Sequence, residues 1–125
     1  MNITEDYVSY EVAKLLKEKG FDEKTLSYYE DNVLCHGDWF EWNRSPLGHV
    51  ATPTHQMAMK WLREVYDIFI DIGYDDLDWY WLIESISNDV PYEDRPKLLK
   101  NGTACHKTYE EAVEAALKYS LENLI

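Results

Sequence analysis

The chain has 125 residues, 46% of them apolar and 14% aromatic, which suffices for one buried core without disulfide staples and excludes a disordered chain. Its formal net charge of −12 argues against direct nucleic-acid binding and against anionic membranes, because both require clustered Lys and Arg. The acid is also unevenly placed: residues 64–94 hold ten acidic and seven aromatic residues and no Lys, Arg or His, which leaves −2 for the other 94.

In chain order, Thr4 is placed to cap a first helix over 4–19 whose apolar stripe is Val8, Val12, Leu15 and Leu16, with Gly20 at its C-terminal stop. Asp22 to Tyr29 reads as a short further turn of helix. Val33 to Trp42 reads as strand, with Gly37-Asp38 as a tight turn or bulge. Ser45-Pro46 and Gly48 form a turn cluster that returns the chain to a short extended piece at His49-Val50. Thr52-Pro53 has the form of a helix start, and the helix 53–66 buries Ala58, Trp61, Leu62 and Val65. Ile68, Ile70 and Ile72, then a turn at Tyr74 to Asp76, then Leu77, Trp79, Trp81 and Ile83 alternate as a β-hairpin. From Ser85 to Lys107 the pattern lapses into a long loop, with a short edge strand expected at Thr103 to His106. Thr108 and Glu111 form a capping box for a last helix, 108–123, whose face is Tyr109, Ala112, Val113, Ala116, Leu117, Ser120 and Leu124.

These elements predict a single α+β domain over 1–125: an antiparallel sheet of three to five strands with about three helices packed mainly on one face, in the rough order α-β-β-α-β-β-α. The longest apolar run is Trp79 to Ile83, so no spanning helix is expected. Glu5 and Asp6 stand where a signal peptide would be basic, so export is not encoded and a cytoplasmic location is expected. Cys35 and Cys105 are then read as free thiols.

Three stretches carry a resemblance. Glu11 to Phe21, Ala51 to Tyr66 and Tyr109 to Leu117 resemble small phage and prophage proteins of gut Bacteroidales, over most of the chain, with the hairpin and the loop after it the least alike. The resemblance implies a phage accessory or host-interaction role; it brings no activity, cofactor or catalytic residue.

Few residues are arranged for chemistry. Cys35-His36 and Cys105-His106, with His49 and His55, are the soft metal ligands available, but adjacent Cys and His point apart, and structural zinc sites draw on pairs spaced by two to four residues. Asp71, Asp75, Asp76 and Asp78 do not follow the calcium-loop pattern, since Gly73 precedes the cluster. Neither metal nor cofactor is expected. No glycine-rich phosphate loop or nucleophile elbow is present, which makes an enzyme the less favoured reading. The hairpin offers more. If Ile68, Ile70, Ile72, Trp79, Trp81 and Ile83 face the helices, then Phe69, Tyr80 and Leu82 share the opposite face, bordered by Asp71, Asp78 and Glu84. An apolar centre rimmed by carboxylates is the composition of a protein interface, for a partner protein or for a second copy of the chain; the alternative is that the N-terminal region or the loop 85–107 covers this face within the chain. The leading expectation is a non-enzymatic interaction protein. The alternatives are an acidic mimic of nucleic acid that occupies the basic groove of a host protein, and a small enzyme pairing His36, His49 or His55 with carboxylates.

Overall fold

The computed structural model describes residues 3–102 and 105–125, and the chain divides into two compact units at Gln56/Met57. The class is α+β with antiparallel strands, and the strands form two three-stranded sheets where a single sheet was expected.

In the first unit, helix α1 (Tyr10–Glu18) is capped by Ser9, whose hydroxyl accepts from the Val12 N–H at 3.2 Å. Thr4 does not cap it. The segment before Ser9 is extended instead: Tyr7 bridges Thr54, the Val8 N–H donates to the Pro53 carbonyl at 3.1 Å, and the His55 N–H donates to the Asp6 carbonyl at 2.8 Å. The same pairing corrects the start of the second helix. With residues 52–54 engaged as extended chain, α2 (His55–Tyr66) starts two residues later than the Thr52-Pro53 signal indicated, and the Thr52 N–H donates to Ser27.

Strands β1 (Thr25–Glu30), β2 (Val33–Phe40) and β3 (Val50–Ala51) form a sheet in the order β2-β1-β3. Part of Asp22 to Tyr29 is thus strand and not helix, because Thr25 and Ser27 are buried on either side of an exposed Leu26, a period of two. Asp31 and Asn32, at φ of 50° and 66°, make the two-residue turn between β1 and β2. The expected bulge is present, since Thr25 pairs with Phe40 and Ser27 with His36, leaving Gly37 to Trp39 irregular. Val8, Val12, Ala13, Leu16, Phe21, Val50 and Ala51 are buried apolar residues of this unit.

In the second unit, Asp67, at φ 56°, leads the chain from α2 into β4 (Ile68–Asp75), which pairs with β5 (Asp78–Ser85); β5 pairs in turn with β6 (Lys97–Asn101). Ala58, Met59, Trp61 and Leu62 of α2 are buried, but Val65, in the last turn before the chain leaves the helix, is 53% exposed. The hairpin stands as read, with its turn moved to Asp76-Leu77. The loop after it is more ordered than its composition indicated: a 3₁₀ turn at Tyr92–Asp94 precedes β6, which lies before the expected edge strand. Thr103 and Ala104 lie outside the described residues, and His106 bridges Trp79.

Helix α3 (Tyr109–Asn123) lies against β4 and β5. Thr108 caps it by accepting from the Glu111 N–H at 3.1 Å, while the Glu111 carboxylate reaches back to the Lys107 N–H at 3.1 Å. Its buried face is Ala112, Val113, Ala116, Leu117, Ser120 and also Leu121. No helix among the described residues is long and apolar enough to cross a membrane.

Candidate functional site

Antiparallel register fixes which hairpin side chains share a face, because each residue lies on the same side as the one directly opposite. Phe69 is opposite Glu84, Asp71 opposite Leu82, Gly73 opposite Tyr80, and Asp75 opposite Asp78. Phe69, Asp71, Asp78, Tyr80, Leu82 and Glu84 therefore occupy one face. The other face carries Ile68, Ile70 and Ile72 with Trp79, Trp81 and Ile83, and meets α3: Trp79 stands edge-on to Tyr109 at 5.6 Å, and Trp81 lies 5.7 Å from Tyr119.

On the outer face Asp71 is exposed, and Phe69, Asp78, Tyr80, Leu82 and Glu84 are half-buried. The Tyr80 ring lies over Gly73, so close that a Cβ at Gly73 would come within 2.6 Å of Tyr80 Cε1. This glycine gives the aromatic side chain a flat seat on the sheet, a cross-strand arrangement that covers bare backbone. Leu98, opposite Glu84, extends the face onto β6 and is 54% exposed. One corner of the rim is neutralised: Lys107 Nζ donates to Asp78 Oδ1 at 2.8 Å, and this hydrogen bond, with the charge of Asp78, holds the ammonium above its ordinary range.

At the tip, Tyr74 lies opposite Trp79 on the face towards α3, and Leu77, which the alternation placed in the second strand, is a turn residue instead. Tyr74 is half-exposed and Leu77 is 82% exposed, and Leu77 sits in the left-handed region at φ 74°. A leucine there is held against a backbone cost of roughly 1–2 kcal/mol that glycine avoids. Leu77→Gly is accordingly expected to stabilise the chain by about 1 kcal/mol in urea unfolding.

The other sequence candidates disperse. Cys35 lies on β2 with its thiol directed to the Val33 carbonyl, whereas Cys105 follows β6, 3.9 Å from the ring of its neighbour His106. His36 Nδ1 bonds Ser27 Oγ at 2.6 Å. His49 is buried against Tyr28 and Trp42, bonds Ser45 Oγ through Nδ1 at 2.9 Å, and has Nε2 3.9 Å from Glu30 Oε2. This set resembles a hydrolase triad only in composition, because the serine hydroxyl also accepts from the Leu47 N–H and closes a local turn. His55 is buried at the start of α2. Among the described residues no three His, Cys, Asp or Glu side chains are grouped to hold a metal ion, and the hairpin aspartates are spread along β4, the turn and β5.

Protein-family models, curated proteins and solved structures were compared with the chain, and none matches it.

Proposed function

We propose that the chain is a non-enzymatic interaction protein, an accessory factor of phage or prophage origin acting in the cytoplasm, that binds a partner protein through the outer face of the β4-β5 hairpin. The observation that carries this reading is the register, which groups Phe69, Tyr80 and Leu82 inside a border of Asp71, Asp78 and Glu84 on the side of the sheet opposite α3. Aromatic and aliphatic groups of this kind supply the binding energy of interfaces, and a rim of one sign selects the partner and speeds encounter. With ten acidic and no basic residues in 64–94, the surface suits a partner whose contact patch is basic around an apolar centre. A basic groove that ordinarily holds nucleic acid is one such patch, so duplex DNA competing with the chain for the captured partner would identify a mimic.

The test is quantitative recovery of partners from the source organism's lysate with the wild type, Tyr80→Lys and Asp71→Lys. A protein retained by the wild type, released by raised salt, and lost with Tyr80→Lys at a cost of at least about 2 kcal/mol supports the reading. Asp71→Lys, at an exposed position, leaves the fold intact and is expected to weaken binding chiefly by slowing association. Unchanged recovery by both variants sinks the assignment of this face.

A further inference from the structure

The two sheets end in β2, β3, β4 and β6, and three of these strands carry features that discourage another strand from pairing with them. β4 presents Asp71 and Asp75, β6 presents Lys97 and Lys100, and β3 has only two residues. β2 differs. It runs for eight residues with Asp38 as its one charge, and Val33, Leu34, Trp39 and Phe40 are exposed along it, Val33 at 60%. Its protective feature is the irregularity at Gly37 to Trp39, which leaves Val33 to His36 regular.

The direction of the backbone groups in that regular segment follows from the turn. Glu30 and Val33 close a two-residue connection and so exchange both backbone hydrogen bonds; in an antiparallel ladder such pairs alternate with pairs that exchange none. Leu34 and His36, opposite Tyr29 and Ser27, consequently turn their N–H and C=O groups away from β1 towards the open edge.

We propose that this edge takes a second copy of the chain, antiparallel, about a two-fold axis at Cys35. Leu34 of each copy then pairs with His36 of the other, through about four backbone hydrogen bonds. The charges fit this occupant. The segment that pairs regularly, Val33 to His36, carries no carboxylate, so none meets another within the paired segment about the axis. A basic partner would gain little at a strand segment that carries no charge from Val33 to Gly37. The paired segment is short, which places the association among weak, reversible ones.

Sedimentation equilibrium and native mass spectrometry of the full chain test this. The wild type is expected to dimerise reversibly in the micromolar range. Leu34→Pro removes an N–H that faces the open edge and spares the β1 ladder, so it should weaken the dimer at least about tenfold with an unchanged circular dichroism spectrum. In a Cys105→Ser background, mild oxidation should yield a covalent dimer through Cys35, because directly opposed residues that exchange no hydrogen bonds have Cα atoms about 4.5 Å apart. Should Leu34→Pro fail to fold, Val33→Asp, at an exposed side chain, provides the same test and should likewise favour monomer. A wild type that stays monomeric at high concentration, or a dimer indifferent to Leu34→Pro or Val33→Asp, overturns the proposal.

Discussion

Gly102→Val is expected to cost about 3 kcal/mol or more of stability in urea unfolding, with an unchanged m value. Gly102 is buried where the chain leaves β6, and its N–H donates to the Trp81 carbonyl at 2.8 Å. A Cβ at this position would meet the Trp81 indole and, at 2.8 Å, the same carbonyl oxygen. The ring has little room to yield, because Trp81 is buried and lies against Tyr119 of α3. The carbonyl belongs to the central strand and moves only if β5 moves. Relief therefore breaks either the β5-β6 connection or the packing of α3. A loss below about 0.5 kcal/mol would mean that Gly102 does not lie over Trp81.

Ile83→Ala carries the second large expected effect, about 2–5 kcal/mol. Ile83 is fully buried at the middle of the sheet, opposite Ile70 on β4 and Lys100 on β6, on the face that meets α3. Truncation removes apolar burial and leaves a cavity that three strands and a helix cannot all collapse into. Val65→Ala is the informative comparison. Both residues read as core positions by periodicity, yet Val65 is half-exposed, and its truncation should stay within about 0.5 kcal/mol. Equal losses at the two sites would contradict the burial difference.

The hairpin and last helix were legible in the sequence because strong local signals agree there. Alternating Ile and Trp residues and a capping box each act within a few residues, and the faces that unite Phe69, Tyr80 and Leu82 follow from the alternation even though the turn lies at Asp76-Leu77 and not at Tyr74 to Asp76. The N-terminal half was misread where local and distant preferences conflict. Thr4 and Thr52 are sound caps in isolation, but residues 6–8 pair as extended chain with residues 53–55, and the His55 N–H that a Thr52 cap would serve donates to the Asp6 carbonyl instead. Asp22 to Tyr29 had to become strand in part because Ser27 to Glu30 gain partners on β2, and Tyr28 and Tyr29 on β3 as well. β6 was hidden because Lys97 to Asn101 has little β-character of its own and is held by its neighbour β5. Leu77 was misplaced in the second strand because its apolar side chain continues the Trp79-Trp81-Ile83 alternation, whereas it sits in the turn in the left-handed region.

By itself the sequence determined the α+β class, the antiparallel pairing of residues 68–84 and the concentration of acid on that segment, since hydrophobic period and charge are properties of neighbouring residues. Tertiary structure alone decided that the strands divide into two sheets, that α3 takes the Trp79-Trp81 face and leaves the acidic, aromatic one outside it, and that β2 ends its sheet with an uncharged segment from Val33 to Gly37. Those outcomes depend on which distant backbone groups find each other, and no local pattern encodes that choice.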